Sequence, residues 1–261
     1  MGVYMFNTRI PLYGLMILLS LILNIIITAK TYDKTKFTKE EIIGAITYEI
    51  MGIILGAKLL AFLENYQKYQ GEFDFLKVGL SAYGGVIGAI IILVIFKFQF
   101  KKNLKDLFLT FALPLPLLYA VGKIGCFLAG CCYGIEYHGF GNVVYNYVSK
   151  SEIIGLHLFP VQLIESTVFF LIFIYILIKH KKNKYNVKSL SIMMLLCGIS
   201  KFALEFLKMS HINKIISTTQ IISLIFILIS IYLIIKNRKE IWYNKNRSEE
   251  LWIIVNIVVL N

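Results

Sequence analysis

Thirteen residues, Gly122-Lys123-Ile124-Gly125-Cys126-Phe127-Leu128-Ala129-Gly130-Cys131-Cys132-Tyr133-Gly134, carry the densest chemistry in this sequence. Four glycines would break or bend a helix and expose backbone N–H groups. Beside Lys123, such groups suit a phosphate cradle. Three of the four cysteines lie here, with Cys197 as the fourth. Their Cys-x4-Cys-Cys spacing matches no common zinc pattern, and His138 and His157 are not at ligand spacing, so no metal and no cofactor are expected. Vicinal Cys131 and Cys132 rarely pair with each other. A disulfide from Cys126 to either one is open outside the cell, and small packing residues are the default. Farther along, Lys201, Glu205 and Lys208 stand at i, i+4 and i+7, which puts all three on one helix face.

The elements that must position these groups are membrane spans. The chain has 261 residues, 58% of them apolar and 16% charged, with mean hydropathy +0.73. Soluble domains run about 45–50% apolar and about 25% charged. The apolar excess falls in runs of about 20 residues, the length that crosses a bilayer core. A soluble enzyme, a nucleic-acid partner and a disordered chain are thereby excluded. The fold class predicted is all-α: a polytopic bundle of seven transmembrane helices near 11–29, 42–63, 78–96, 107–129, 161–179, 189–207 and 218–236. Thr28-Ala29-Lys30-Thr31 offers no small-x-small cleavage site, so the first run reads as an uncleaved helix.

Orientation follows from the basic residues. The segments 30–41, 97–106, 179–188 and 236–261 hold 18 Lys or Arg, and the alternate segments hold 6. Cytoplasmic loops carry that excess, so the N-terminus is expected outside and the C-terminus in the cytoplasm. Most of the +12 charge is then anchoring to anionic lipid and not a nucleic-acid footprint. Residues 1–237 form the membrane domain with an outer loop at 130–160. That loop is too long to be idle. Residues 238–261 form a cytoplasmic tail, whose apolar end lies in the interface or packs on the bundle.

Ionisable groups inside spans cost about 2.5–3.5 kcal/mol each on insertion scales, so each needs a reason. With this topology, Lys58, Lys123, Lys201, Glu205, Glu165, Tyr83 and Tyr13 all fall in the outer third, spread over six spans. Only Glu49 falls on the inner side. Snorkelling lysines with glutamate counter-ions would explain any one of them. Their shared depth points instead to a cavity open to the outer leaflet. Three cations (Lys58, Lys123, Lys201) against two anions (Glu165, Glu205) leave one positive charge, which suits a phosphate head group. Gly52-x-x-x-Gly56 and Gly84-Gly85-x-x-Gly88 predict close helix packing around it.

The 122–134 segment resembles the glycine-rich signature of the bacterial prolipoprotein diacylglyceryl transferases, roughly Gly-Arg-x-Gly-Asn-Phe-x-Asn-Gly-Glu-x-x-Gly. The resemblance runs in order over about 11–236. Tyr13-Gly14-Leu15 is similar to the family's Tyr-Gly-Leu, and Gly56-Ala57-Lys58 to a Gly-Ala-Arg. Tyr83-Gly84-Gly85-Val86-Ile87-Gly88 is similar to His-Gly-Gly-Leu-Ile-Gly. Phe159-Pro160-Val161-Gln162-Leu163-Ile164-Glu165 resembles His-Pro-x-Gln-Leu-Tyr-Glu. Lys201 to Lys208 resembles Arg-x-x-x-Glu-Phe-x-Arg, and Thr219-Gln220-Ile221 a Gly-Gln-Ile. Four motif arginines are lysine here, at 58, 123, 201 and 208. Tyr83 stands for the family's His, Cys126 for an Asn and Cys131 for the Glu.

The resemblance implies transfer of a diacylglyceryl group from phosphatidylglycerol to the lipobox cysteine of prolipoproteins. Glycerol phosphate leaves and a thioether forms, at a site facing the outer leaflet of the bacterial cytoplasmic membrane. Its partners would be phosphatidylglycerol or another anionic phospholipid, prolipoprotein signal peptides and the bilayer. Tyr83, Lys123, Lys201 and Glu205 are the expected catalytic residues. Tyr13, Lys58, Gly84, Gly85, Gly122, Gly125, Cys126, Gly134, Gln162, Glu165, Lys208 and Gln220 are the expected substrate-binding residues. Lys is a point donor where Arg forks across two oxygens. Tyr83 is a poor base unless neighbouring lysines lower its pKa, and a buried Lys that loses its proton could serve instead. Three readings stay open at this point: a divergent transferase, a paralogue with another acceptor or head group, and a non-catalytic lipid-binding or transport protein.

Overall fold

The computed structural model describes residues 2–5, 8–67, 69, 74–75, 77–146, 153–212 and 215–237. The expected tail at 238–261 lies outside these residues. Seven helical segments among them are long and apolar enough to cross a membrane. They are α1 (Leu12–Thr31), α2 (Lys39–Glu64), α3 (Ala82–Phe100), the pair α4 (Leu104–Ala112) and α5 (Leu115–Ala129), α6 (Val161–Lys181), α7 (Val187–Glu205) and α8 (Thr218–Asn237). The strands are short: β1 (Gly2–Met5) pairs antiparallel with β2 (Thr8–Pro11), and β3 (Val143–Val144) with β4 (His157–Leu158).

Local sequence accounts for the boundaries. Thr38 and Glu41 cap α2 reciprocally: the Thr38 hydroxyl accepts from the Glu41 N–H, and the Glu41 carboxylate accepts from the Thr38 N–H. Ser217 and Gln220 do the same for α8, the Gln220 side-chain oxygen accepting from the Ser217 N–H at 2.9 Å. The third span begins at Ala82 and not near 78, because the chain turns at 74–78, and Ser81 is extended with its N–H taken by the Ala57 carbonyl of α2. The fourth span is two helices. Pro114 and Pro116 remove N–H donors at the joint, and the chain turns at Leu113.

The glycine pattern has different outcomes in its two locations. Between α2 and α3 it does what a small-xxx-small face should. A Cβ at Gly56 would collide with the Gly84 carbonyl oxygen, and one at Gly88 with the Gly52 carbonyl oxygen, so the two backbones touch. Gly56→Ala is expected to destabilise the bundle by at least about 1–3 kcal/mol, the scale of overpacking in a tight core. Gly79→Ala, where a Cβ meets nothing within 4 Å, should leave thermal unfolding in detergent unchanged. In α5 the expected break at Gly122 and Gly125 does not occur. The helix runs intact to Ala129, and Gly125 instead lets α1 approach, a Cβ there lying 2.9 Å from Met16 Cβ. The helix ends one signature glycine later: Gly130, at φ 66°, takes the left-handed cap position, its N–H bonding Phe127 and the Cys131 N–H bonding Cys126.

Two apolar clusters hold the bundle. Leu113, Leu117, Ile172, Phe173, Ile176, Leu190 and Met193 join α5, α6 and α7. Phe37, Ile42, Leu93, Phe96, Leu107 and Phe111 join the segments at the other end of α2 and α3. The 130–160 connection is ordered where described. Tyr145, Ile153 and Leu158 form a small core over Phe127, and Gly134 bridges to Lys208 in the segment after α7.

Candidate functional site

Glu165 is the centre of the site. It lies one turn into α6 and is fully buried. Its Oε2 lies 2.6 Å from Lys123 Nζ of α5. Its Oε1 receives Tyr119 Oη at 3.0 Å, Lys201 Nζ of α7 at 3.1 Å and Lys208 Nζ at 3.3 Å. Glu205, at the end of α7, binds Lys208 Nζ at 2.7 Å and lies 3.9 Å from Lys201 Nζ. Three lysines thus face two glutamates from α5, α6, α7 and the segment after α7, and the cluster carries one surplus positive charge. A buried charge without a partner costs several kcal/mol, so each of these groups depends on the others.

Lys208 reaches this cluster by a different route from the one its spacing suggests. The expected helix face through Lys208 stops short, because α7 ends at Glu205 and Lys208 is extended. The Ile135 N–H bonds the Leu207 carbonyl and the Met209 N–H bonds the Tyr133 carbonyl, so the 130–160 connection turns Lys208 back onto both glutamates. Gly134 makes the crossing possible: a Cβ there would collide with the Phe159 carbonyl oxygen and crowd that of Leu207. Burial and the neighbouring Lys123 work against the Lys208 ammonium. The two carboxylates outweigh both and hold its pKa above the ordinary lysine value.

An apolar cavity of about 370 Å³ opens beneath the cluster. Lys201, Tyr119 and Tyr83 line its charged end, Leu93, Phe169 and Phe226 line its walls, and Glu49 lies at its far end. The antiparallel contacts of Gly56 with Gly84 and Gly52 with Gly88 set the distance. Glu49 lies about 12 Å along the helix axes from the level of Tyr83, at 1.5 Å per residue. Glu49 accepts from Asn24 Nδ2 at 2.9 Å, joining α1 to α2. A charged end on an apolar cavity suits an amphiphile whose head is anionic.

The other expected site residues disperse. Tyr83 lines the cavity, and its hydroxyl lies 2.5 Å from Ser223 Oγ of α8. Ser223 already donates to the Thr219 carbonyl at 2.7 Å, so Tyr83 is the donor in that pair. Lys58 does not join the cluster: its Nζ donates to the Val78 carbonyl at 2.5 Å and lies over the Phe75 ring. Lys208 takes its place in the charge balance. Gly84 and Gly85 serve the α2–α3 contact, and Gly122 and Gly125 face α1, where Tyr13 lies against Gly125. Gln162 Nε2 donates to the Cys131 carbonyl at 2.9 Å and so holds the turn after α5. Gln220 is buried in the α8 cap, its Nε2 without a hydrogen-bond partner among the described residues.

Two site residues escape a reading by motif. Tyr119 donates to Glu165, and the Lys123 and Lys201 ammoniums lie 5.4 and 5.2 Å from its ring centroid. The available signal was its spacing, four residues before Lys123 on one face of α5. Ser223 is one hydroxyl in a long apolar run, and nothing in the sequence pairs it with Tyr83. The cysteines also depart from expectation. All four are free thiols, yet Cys126, Cys131 and Cys132 bring their sulfur atoms within 4.8 Å of one another, which the spacing did not foretell.

Comparison with known proteins gives a consistent answer. A family model described as prolipoprotein diacylglyceryl transferase matches residues 3–236. A phosphatidylglycerol–prolipoprotein diacylglyceryl transferase 2 of Clostridium perfringens is 29% identical over 246 residues, covering 90% of this chain and 95% of its own. The corresponding transferase of Clostridium tetani is 30% identical over 236 residues, covering 87% and 93%. That of Finegoldia magna is 30% identical over 245 residues, covering 90% and 94%.

Proposed function

We propose that this chain, which belongs to the prolipoprotein diacylglyceryl transferase family, moves a diacylglyceryl group from phosphatidylglycerol to the cysteine thiol of a prolipoprotein by way of the Glu165 cluster. The observation that carries this reading is the cation cluster, with its single surplus charge, which meets one end of an apolar cavity through Lys201. A phosphodiester brings one negative charge to match that surplus, and an acyl chain fills a shaft that water would leave. The basic bias of 18 residues to 6 supports the site facing the outer leaflet, and the family's bacterial members support the cytoplasmic membrane.

The chemistry follows from charge. The acceptor sulfur attacks the glyceryl carbon that bears the phosphate. A C–S bond forms as the C–O bond breaks, and the electron pair leaves on the oxygen of glycerol phosphate. The leaving group gains a negative charge, which Lys123, Lys201 and Lys208 stabilise at its phosphate oxygens. The thiol proton passes to the Glu205 carboxylate. The site then gains one proton as the phosphate gains one negative charge, so the cluster stays balanced from start to finish. Glu205 is preferred to Tyr83 because the Tyr83 hydroxyl donates to Ser223 and holds its own proton. Tyr119 and Glu165 are positioning residues that hold the lysines on the phosphate.

The test is direct. Purified protein in phosphatidylglycerol nanodiscs is mixed with a lipobox peptide, and mass spectrometry follows the peptide. The expected product carries one diacylglyceryl mass on its cysteine, and the Cys→Ser peptide stays unmodified. A folded sample that retains phosphatidylglycerol and forms no adduct rejects the transfer.

A further inference from the structure

We propose that Cys126, Cys131 and Cys132 form a binding site for a thiophilic d10 cation, with Zn(II) or Cu(I) as the chemistry it takes. The site lies at the cap of α5. Its three sulfur atoms come from a helix end and a tight turn and lie within 4.8 Å of one another. Thiolates around a tetrahedral metal stand about 3.8 Å apart, given metal–sulfur bonds of ~2.3 Å. Side-chain rotation of at most about an ångström closes the difference, with no movement of the helix.

Two features converge on this chemistry. The turn is fixed before any ligand arrives: the Cys131 N–H bonds the Cys126 carbonyl, the Gln162 amide holds the Cys131 carbonyl, and Cys132 adopts φ 55°. A left-handed residue with a Cβ costs about 1–2 kcal/mol, and here it carries the third sulfur to the other two. Cys126 is buried, Cys131 half-buried and Cys132 exposed, so the site has an anchor and an entrance. Soft thiolate sets select Cu(I) and Zn(II) over harder ions, and three protein ligands leave a fourth position for water on zinc. Binding releases the thiol protons to solvent.

The experiment uses the full-length protein, purified under reducing conditions in detergent. Co(II) is the spectroscopic probe, Zn(II) its competitor, and Cu(I) is offered in a chelator competition. The expected result is one-to-one binding with thiolate-to-cobalt charge-transfer absorption that Zn(II) abolishes. Cys126→Ser, Cys131→Ser and Cys132→Ser each lower the affinity by at least about 10-fold, since even outer partners of a metal contribute ~10–100-fold. Cys197→Ala leaves it unchanged, and the exposed Cys132 position keeps the test valid if the buried variants fail to fold. Retention of Zn(II) alone or of Cu(I) alone supports the site and tells which cation it takes. Absence of binding by all three probes, or binding unchanged in Cys132→Ser, overturns the proposal. So does a reduced sample in which two of these three thiols remain joined as a disulfide.

Discussion

Glu165→Gln is expected to lower diacylglyceryl transfer by about 10²–10³-fold or more, the scale of losing a preorganised electrostatic group. It should also lower the stability of the fold by about 3–5 kcal/mol, the usual result of removing one partner from a buried ion pair. Among the described residues, Glu165 alone touches Lys123, Lys201, Lys208 and Tyr119 together. Without its charge, three lysines from three segments lose the counter-ion they share and repel one another. Thermal unfolding in detergent and peptide modification in nanodiscs read the two effects separately. Wild-type values in both would mean that Glu165 does not organise the site.

Glu205→Gln is expected to act on the chemistry and to spare the binding. Loss of a general base lowers transfer by about 10²–10⁴-fold. Retention of phosphatidylglycerol should be equal to wild type or stronger, because the surplus charge of the cluster rises by one. The substitution keeps the side chain's shape and its oxygen toward Lys208, which lies 2.7 Å from the carboxylate. If Glu205→Gln instead releases the lipid while single-turnover transfer is unchanged, Glu205 is a binding residue and the proton goes elsewhere.

The sequence carried the bundle well because each span announces itself by length and apolarity. The charged groups also share a level along their spans, which groups Lys123, Lys201, Glu165 and Glu205, and ion pairs join these four. What escaped was set by neighbours. Lys58 sits at the expected level, yet the Val78 carbonyl lies within reach and takes its ammonium. Lys208 has helical spacing from Glu205, and a β-bridge from Gly134, 74 residues away in sequence, fixes its actual course. Gly122 and Gly125 look like helix breakers in isolation, but a glycine in a packed helix can serve a close neighbour, here α1. The cysteine trio follows the same lesson. Its spacing fits no linear metal motif, and it is the left-handed cap at Gly130 that folds Cys131 and Cys132 back toward Cys126.

Lysine at the positions where the motif resemblance places arginine also gains a physical reading. The Glu165 oxygens have four donors around them within 3.3 Å. Compact ammonium groups fit that crowding, whereas planar guanidinium forks would compete for the same two oxygens. The lysines here therefore suit a site whose internal glutamate is shared among three cations.

The most direct test of the central claim is retention of phosphatidylglycerol by the purified protein, measured by native mass spectrometry in competition with a zwitterionic lipid of the same acyl chains. Lys123→Ala and Lys201→Ala are compared with Lys179→Ala, which lies about 21 Å from Glu165 along α6 at 1.5 Å per residue. The expected result is preferential retention of phosphatidylglycerol by wild type and Lys179→Ala, and loss of that preference in both cluster variants. Equal preference in all four proteins would contradict the assignment of the donor phosphate to this cluster.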